Sequence, residues 1–584
     1  MKNKRSLSET DIIINNKKIK NDFERKNFVS PSQLRNYILN DPLIDYLDYY
    51  RINTLHEIPN RERANSIASN DFEEFIKLKG IDFEKKIMDQ FKYKIFTVDG
   101  IISEETYLTT INALKNNEPI IYQGVLFDFK NKTYGRPDLI IKGDFLKKIF
   151  TEEVKDNIYY IIDIKFSTIN ISSCEKYITN TNGVAVYKSQ ILIYMNAINE
   201  ILNQNNNLAF ILGKRYSITK NGTKNTIYND DYSKVAKINY ETYDLKYNII
   251  VKNAIDWIFK LRSEGSKWKL LPKPSVNELY PNMSNNKDGK WRPLKKELAE
   301  EIKELTLIVN VGYTERINAF SKGIYSYDDI RCNSINLGIK GTKKNIVDNI
   351  IEINSSSCLD IIKPNIIKYN KNNWRKCLDH QMEFFLDYET TTDFDKDNFI
   401  FMIGIGYKVK EWNFKCFVIE DKSKESQKKM FAQFWDYINN KLIEMNKQEA
   451  IFIHWTDAEP SFYNRAQKEF NLPDKAFLDL YKVFINEPIS IKGALNYSLK
   501  TIGNAMYKLN LINTFWDSNS KCSNGLDALV QANKIYYKID NLEANKIYYN
   551  IDNLEANNMT DITNYNEIDC KVLCEILEYL RLNH

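Results

Sequence analysis

The chain has 584 residues, of which 43% are hydrophobic and 27% are charged, and its net charge is +5. This length exceeds what one hydrophobic core holds, so we expect two or three domains of a soluble globular protein. No run of about 20 apolar residues is present to span a membrane, and the amino terminus lacks the apolar core of a secretory signal.

Most of the net charge is concentrated in the first 27 residues, which contain eight basic and four acidic side chains. This composition is typical of a solvated, disordered arm. The alternative is a tail that binds nucleic acid or directs the protein to a nucleus. Because the rest of the chain is nearly neutral, a site for a polyanion has to be a local groove.

The eight cysteines are scattered along the chain and form no C-x-x-C pair. This pattern indicates neither a disulfide framework nor a zinc ribbon, and it fits a reducing compartment. We therefore expect an intracellular protein, cytoplasmic or nuclear, that is not secreted. Enrichment in Asn, Ile, Lys and Tyr is typical of an AT-rich genome, such as that of a parasite, a symbiont or a large DNA virus.

The amino-terminal half mixes helical and strand patterns. Residues 30–50 begin with Ser and Pro and continue with helical apolar spacing, and residues 71–94 predict a second helix. Strand patterns dominate residues 121–166, and they are followed by a helix at 186–204 and a strand at 208–217. This order predicts a mixed α/β domain.

Residues 266–378 have a different character and predict a helical connector. A connection rich in Pro, Asn and Gly precedes a charged amphipathic helix, and the segment around Gly323 predicts a small helical hairpin. Such hairpins grip the backbone of DNA in some proteins, and a plain spacer is the alternative.

A second α/β pattern begins near residue 380, with three strand patterns, a helix, a further strand and then helices to the end of the chain. Within it, the sequence NKIYYKIDNLEA of residues 533–544 recurs as NKIYYNIDNLEA in residues 545–556. Because repeat folds need three or more units to bury a core, we interpret this repeat as a recent duplication in a tolerant surface segment.

Opposite charges stand two residues apart in the apolar strand pattern YYIIDIKFS. Asp163 and Lys165 share one face of that strand, and buried charges need a partner or a metal. Asp138 follows Gly and Pro at the start of an earlier strand, and Gln190 and Tyr194 share a face of a later helix. Two carboxylates and a lysine suit metal-dependent cleavage of a phosphodiester, because carboxylates hold Mg²⁺ and the lysine orients water or neutralises charge.

This arrangement resembles the PD-(D/E)XK nuclease superfamily, in particular its RecB-like branch with a Q-x3-Y helix. The resemblance implies a restriction-endonuclease-like α/β domain over residues 28–265. It also implies the catalytic residues of that domain, which are Asp138, Asp163, Lys165, Gln190 and Tyr194.

The same resemblance implies a metal site in which Glu84, on a preceding helix, joins Asp138 and Asp163 as a ligand of Mg²⁺ or Mn²⁺. Some relatives add four cysteines that hold an iron–sulfur cluster. Only Cys174 lies in this domain, so no cluster is expected.

A second acidic pattern lies in FFLDYETT, where Asp387 and Glu389 share one face of an apolar strand. Two like charges this close repel each other unless a cation lies between them. In the last helix, Tyr565 and Asp569 are four residues apart and therefore lie on one face.

These motifs resemble the RNase H-like DEDD exonucleases of the tyrosine type, in particular YprB-like domains. The resemblance implies an RNase H-like domain over residues 379–584 with two-metal 3′–5′ hydrolysis, in which the tyrosine positions the water. The middle acidic ligand departs from the family pattern, and we expect Glu459 in its place. Asp457 is the rival ligand, and a helix cap before Pro460 is the other role that the sequence offers for Asp457. The implied catalytic residues are Asp387, Glu389, Glu459, Tyr565 and Asp569, and the metal ligands are Asp387, Glu389 and Asp569.

The sequence thus predicts a multidomain α/β protein with a basic arm, a nuclease domain, a helical connector and an exonuclease domain. We expect a DNA nuclease that needs Mg²⁺ or Mn²⁺ and acts on single strands or duplex ends in repair, recombination or genome processing, with a helicase or a replication or repair protein as a partner. Two alternatives stay open: a nucleic-acid-binding scaffold whose sites no longer cut, and an RNA exonuclease that uses only the carboxyl-terminal domain.

Overall fold

The computed structural model divides the chain into two compact units, Met1–Leu298 and Ala299–His584. Both units combine helices with β-sheets, so the predicted multidomain α/β class is confirmed. The residues that the structure describes are 25–55, 71–150, 152–181, 183–390, 399–517, 520, 522, 524–540 and 559–584.

Two predictions fall wholly or partly outside these residues. The basic arm is described only at residues 25–27, which form a 3-10 turn, and the second copy of the duplicated segment, residues 545–556, lies outside the described chain. Of the predicted connector, residues 266–298 belong to the first compact unit and residues 299–378 to the second.

The first unit contains short and long helices in nearly every part of its chain. Their bounds are α1 Pro31–Ile38, α2 Leu43–Tyr50, α3 Asp71–Gln90, α4 Glu104–Lys115, α5 Gly143–Phe150, α6 Val184–Leu202, α7 Tyr247–Glu264 and α8 Arg292–Glu301, the last of which contains the unit boundary. The strands are β1 Phe96–Thr97, β2 Ile120–Tyr122, β3 Leu126–Asp128, β4 Thr133–Gly135, β5 Leu139–Lys142, β6 Tyr159–Ile171, β7 Leu208–Lys220, β8 Thr223–Tyr228 and β9 Ala236–Asn239.

Local chemistry explains how the chain departs from the predicted helices. The helical pattern over residues 30–50 folds as α1 and α2, because Asn40 adopts a positive φ of 57° and Pro42 lacks the N–H that a continuous helix needs. At its start, the backbone N–H of Ser30 donates to Gln33 Oε1 at 2.9 Å, a capping interaction. Helix α5 interrupts the strand patterns of residues 121–166 and was not predicted.

The main sheet of the first unit has the order β1-β2-β5-β6-β7-β8, and β9 pairs with β7. Strand β6 pairs antiparallel with β5 and parallel with β7. Ile162 and Ile164 pack against Phe83 and other apolar residues on one face of β6, so Asp163 projects from the opposite face. The β6–β7 ladder shifts register directly after Lys165.

The helices of the second unit follow α8 in the chain. They are α9 Tyr313–Phe320, α10 Ser334–Leu337, α11 Lys343–Asn354, α12 Lys424–Glu444, α13 Ala458–Phe470, α14 Leu480–Asn486, α15 Leu499–Lys508, α16 Gly525–Asp540 and α17 Thr560–Asn583. The strands are β10 Ile362–Lys363, β11 Gln381–Thr390, β12 Ile400–Lys408, β13 Trp412–Val418, β14 Glu449–His454, β15 Ala476–Asp479 and β16 Ser490–Ile491.

A five-stranded sheet with the order β13-β12-β11-β14-β15 forms the centre of this unit. Strands β13, β12 and β11 are antiparallel neighbours, whereas β11, β14 and β15 run parallel. The carboxyl-terminal helix α17 packs over β11 and β12. The ladder between β11 and β12 shifts register directly after Glu389, as the β6–β7 ladder does after Lys165. Such irregularities bend a strand and redirect its side chains.

The segment around Gly323 folds as a turn that follows α9. Gly323 has a φ of 71°, and the next helix, α10, begins at Ser334. None of the helices in the described part of the chain combines the length and the apolar character that a bilayer crossing requires.

Close contact between α17 and the sheet depends on a glycine. A Cβ atom built on Gly404 of β12 would lie 1.5 Å from Asn566 Oδ1 of α17. We expect Gly404→Ala to lower the free energy of unfolding of the second unit by about 2 kcal/mol or more, because overpacking forces the helix off the sheet. Denaturation in urea measures the change.

The control is Gly525→Ala, because a Cβ at Gly525 meets no atom within 4 Å. This variant is expected to change the free energy of unfolding by less than about 0.5 kcal/mol. Equal stability of the two variants would contradict the close packing of α17 on β12.

Candidate functional site

The central strand β11 carries two acidic side chains on one face. Asp387 lies opposite Gly404 and Glu389 lies opposite Met402 in the ladder with β12. The alternate residues, Leu386 and Tyr388, belong to the hydrophobic core on the other face. The alternation expected from the sequence is therefore what brings both carboxylates to the same side of the sheet.

Helix α17 adds a third carboxylate to this face. Asp387, Glu389 and Asp569 each offer an oxygen, and these three oxygens all lie within 4.8 Å of one another. Within the described ranges, no other group of three or more His, Cys, Asp or Glu side chains meets this condition. Glu389 and Asp569 are buried, with exposed fractions of 6% and 7%. Carboxylate oxygens in this arrangement suit a hard divalent cation.

Without a cation, this cluster favours protonated carboxyls. Burial, followed by the neighbouring charges of Asp569 and Glu389, raises the pKa of Asp387 well above its ordinary value. Burial and the charge of Asp569 raise the pKa of Glu389 to about 8. Burial raises the pKa of Asp569 to about 6, against the opposing influence of Lys500 and Trp516. The carboxyls therefore hold protons at pH values where isolated carboxyls have lost them.

Hydrogen bonds fix the orientation of the cluster. Asn566 Nδ2 donates to Asp387 Oδ2 at 2.6 Å, and Trp516 Nε1 donates to Asp569 Oδ1 at 2.7 Å. The Tyr565 hydroxyl also donates to Asp569, and burial together with the charge of Asp569 raises the pKa of Tyr565. The predicted pair of Tyr565 and Asp569 is thus brought together on one face of α17.

Two residues of this site were missed in the sequence. Asn566 lies three residues before Asp569, so helical spacing could have identified it. Trp516 lies in an irregular segment without periodicity, and no local signal connects it with Asp569. Lys500 of α15 also lies near the cluster, with Nζ 4.7 Å from the centroid of the Tyr565 ring. Burial lowers the pKa of Lys500.

The structure separates the two candidates for the middle acidic ligand. Glu459 is buried with 6% exposure, and its charge contributes to the raised pKa of Asp387 and of Glu389. Asp457 is a surface residue whose side chain is 77% exposed and accepts a hydrogen bond of 2.9 Å from Lys482. Asp457 stands at the N-cap position of α13 without a capping hydrogen bond from its side chain. Glu459 therefore lies on the buried side of this helix start, whereas Asp457 lies at the surface.

Glu459 also faces a histidine. His454 Nδ1 lies 3.5 Å from Glu459 Oε2, and both side chains are buried. Neither of these two atoms has a hydrogen-bond partner within the described structure. Glu459 lies outside the group of three carboxylates whose oxygens are within 4.8 Å.

The first unit brings together the other predicted constellation. Lys165 Nζ lies 2.5 Å from Asp163 Oδ2, and the side chain of Asp163 is fully buried. Burial lowers the pKa of Lys165, but the charges of Asp163 and Asp138 outweigh burial and raise it overall. Within the described structure, Asp163 Oδ1 has no hydrogen-bond partner. The charge pair that the strand pattern predicted is therefore an internal ion pair.

Asp138 and Glu84 are connected through an amide that was not predicted. Gln123 Nε2 donates to Glu84 Oε1 at 2.6 Å and to Asp138 Oδ1 at 3.3 Å. Asp138 Oδ2 accepts a hydrogen bond of 2.6 Å from the backbone N–H of Ile164. Burial and the charge of Asp163 raise the pKa of Asp138 well above its ordinary value. Because Gln123 lies between strands, no motif in the sequence pointed to it.

Helix α6 supports this constellation from one side. Gln190 Nε2 donates to the Tyr194 hydroxyl at 3.0 Å, and burial followed by the charge of Asp163 raises the pKa of Tyr194. A Cβ on Gly135 would lie 2.3 Å from Tyr194 Cε1. Because Gly135 has no side chain, the ring of Tyr194 can lie against β4.

The two constellations differ in how their charges are satisfied. The acidic residues of the first unit have an ammonium and an amide as partners, and Glu84, Asp138 and Asp163 do not form a group whose oxygens all lie within 4.8 Å among the described residues. The carboxylates of the second unit come closer together, so they fit a divalent cation better.

Comparisons with known proteins identified no family for this sequence. The sequence matches no model of a known protein family. No curated protein matches it either.

Substitution of Lys165 tests whether its ion pair with Asp163 is internal. Lys165→Met leaves Asp163 buried without its cation, so we expect the free energy of unfolding at pH 7 to fall by about 3 kcal/mol or more. The control is Lys147→Met, which breaks the pair of Lys147 with Asp156, whose side chains are 41% and 61% exposed. That loss should stay below about 1 kcal/mol. Similar losses in urea denaturation would show that the Asp163 pair is not internal.

The carboxylate cluster of the second unit gives a prediction for pH. The pKa of Glu389 is about 8 in the folded chain against an ordinary value of 4.5, so the folded chain binds this proton more tightly than the unfolded chain. Its contribution to stability is fully present below pH 4.5 and is lost as the pH rises to about 8. In EDTA, we expect the Tm of wild type to fall more over this range than that of Glu389→Gln.

With divalent cations present, the Tm of wild type should no longer fall more with rising pH than the Tm of Glu389→Gln, because the cations stabilise the ionised carboxylates. The measurement is Tm against pH in EDTA and in millimolar Mg²⁺, for wild type and for Glu389→Gln. If the Tm of wild type and of Glu389→Gln changed equally with pH in EDTA, the raised pKa of Glu389 would be contradicted.

Proposed function

We propose that this protein is a metal-dependent nuclease that hydrolyses phosphodiester bonds in DNA. The observation that carries the proposal is the group of Asp387, Glu389 and Asp569, whose oxygens converge within 4.8 Å. On this proposal, the second unit is an RNase H-like 3′–5′ exonuclease and the first is a PD-(D/E)XK nuclease of the restriction-endonuclease-like fold. Repair, recombination or genome processing is the proposed setting.

The donor set of the second unit suits Mg²⁺ or Mn²⁺. Three carboxylates supply only oxygen ligands, and no cysteine or histidine belongs to the described group. Bound there, divalent cations would supply an activated water and stabilise the charge of the phosphate. Asn566 and Trp516 hold Asp387 and Asp569 in place by hydrogen bonds, so the ligands are oriented before a cation binds.

The other side chains support the same reaction. The Tyr565 hydroxyl, held by Asp569, stands beside the cluster and can orient a water there. The raised pKa of Tyr565 keeps its proton in place, so it acts as a hydrogen-bond donor and not as a base. Glu459, buried beside the three carboxylates, is the proposed fourth acidic residue.

The first unit supports a second nuclease site. Asp138 and Asp163 influence each other electrostatically, and Lys165 lies beside both. Two carboxylates with an adjacent ammonium suit a bound cation and a developing negative charge on a phosphate. Gln123 donates to both Glu84 and Asp138, and Glu84 is the proposed further ligand of this site.

The test is incubation of the purified protein with end-labelled single-stranded and duplex DNA in Mg²⁺, Mn²⁺ or EDTA. We expect hydrolysis in both metals and none in EDTA. Asp387→Asn and Asp569→Asn should each lower the rate of 3′ shortening by 100-fold or more, at the order of magnitude seen when a catalytic interaction is removed. Asp163→Asn should lower the activity of the first unit alone.

Asp457→Asn is the matched control, because this carboxylate lies at the surface and pairs with Lys482. It should keep wild-type activity, whereas Glu459→Gln should lose it. RNA of the same sequence is tested in parallel, and cleavage of RNA without DNA would replace the proposed substrate. Hydrolysis that survives Asp163→Asn combined with Asp387→Asn would refute the proposed function, and so would the absence of any hydrolysis.

A further inference from the structure

Two exposed aromatic rings stack on each other close in sequence to the acidic cluster. The rings of Tyr507 and Phe515 have centroids 4.6 Å apart and planes inclined by 24°. Tyr507 is 37% exposed and Phe515 is 46% exposed. Phe515 directly precedes Trp516, whose indole N–H bonds to Asp569 of the cluster. We call Tyr507 and Phe515 the aromatic platform.

The segment that carries Phe515 is fixed at both of its ends. Glu575 Oε2 accepts hydrogen bonds from the backbone N–H groups of Asn513 and Thr514 at 2.7 and 2.9 Å, and Glu575 Oε1 accepts one from the Thr514 hydroxyl at 2.6 Å. At the other end, Trp516 bonds to Asp569. Because Glu575 and Asp569 both belong to α17, the platform and the metal ligand share one rigid support.

Helix α15 forms the other side of this surface. Lys500, Gly503 and Tyr507 are spaced by three and four residues, so they lie along one face of the helix. Lys500 Nζ lies 5.8 Å from the centroid of the Trp516 ring, and a Cβ on Gly503 would lie 2.8 Å from Trp516 Cζ3. Trp516 covers Gly503, and Tyr507 lies about 10 Å further along the helix axis than Lys500.

We propose that the aromatic platform stacks with unpaired bases of the DNA strand whose end reaches the carboxylate cluster. This inference rests on the proposed function and specifies its substrate as a single strand. Every base offers a flat π face, so aromatic side chains bind single strands with little dependence on sequence. Bases inside a duplex already stack on their neighbours and have no free face for the platform.

The rings alone would be an unremarkable feature of a surface, because scattered exposed apolar residues are normal. Their attachment argues for a role: a half-buried carboxylate, Glu575, accepts three hydrogen bonds and thereby holds a segment that presents Phe515 to solvent. Phe515 gains little from its own burial, so these bonds fix its position relative to Asp569.

The test compares Tyr507→Leu/Phe515→Leu with wild type in steady-state hydrolysis of a single-stranded oligonucleotide in Mn²⁺. Leucine keeps the apolar character and removes the flat ring. We expect KM to rise roughly 5- to 100-fold, the range given by the loss of stacking on one base, while kcat stays within about twofold. The matched control is Tyr243→Leu, because Tyr243 is 49% exposed and stacks on Tyr177 at 4.7 Å in the first unit.

A second readout does not depend on hydrolysis. A single-stranded oligonucleotide that contains 5-iododeoxyuridine is bound in EDTA and irradiated, and the crosslinked peptide is identified by mass spectrometry. We expect crosslinks at Tyr507 or Phe515 in wild type and their loss in the double variant. Crosslinks elsewhere only, or none, would overturn the platform.

The two readouts separate the two proposals. Crosslinks at the platform without hydrolysis in any metal would refute the nuclease and keep the platform. Hydrolysis with an unchanged KM in the double variant, and no crosslink at either ring, would refute the platform and keep the nuclease. An equal rise of KM in the Tyr243→Leu control would also overturn the platform, because the effect would then not be specific to this surface.

Discussion

Like charges that are buried side by side must be neutralised by protons or by cations, and the candidate metal centre depends on this constraint. Glu389 and Asp569 are buried, the charges of both raise the pKa of Asp387, and the charge of Asp569 raises the pKa of Glu389. The fold nevertheless holds them together through Asn566, Trp516 and the packing of α17 against Gly404. Stability is therefore lower than it would be with apolar residues there, which is typical of a functional site.

The two units neutralise their acidic side chains in different ways. In the first unit, Lys165 pairs with Asp163, and Gln123 donates to both Glu84 and Asp138. In the second unit, Lys500 opposes the raised pKa of Glu389 and of Asp569, and its ammonium lies against aromatic rings. The second site consequently needs an external cation more than the first. In both units, a register shift follows the charged pair of the strand, so the regular ladder is interrupted next to the site.

The sequence predicted what depends on local periodicity. Alternation along the strands placed Asp163 with Lys165 and Asp387 with Glu389, and helical spacing placed Tyr565 with Asp569. Contacts between distant segments leave no periodic pattern in the sequence, so the contacts of Gln123 and Trp516 with the acidic residues were not predicted. Whether Glu459 or Asp457 lies near the acidic cluster depends on which side of a helix start faces the sheet, and the motif alone could not show this. Helix α5 was missed because its eight residues are too few for a clear period.

The pairing of α17 with β11 joins residues that are far apart along the chain: the contact of Asn566 with Asp387 spans 179 positions. Contacts of this kind cost more loop-closure entropy than local ones, and they exist only when α17 is docked on the sheet. A partly folded chain therefore has neither the third carboxylate nor the indole that orients it. A cation that needs all three oxygens would therefore bind the completed fold of the second unit and favour it over a partly folded chain.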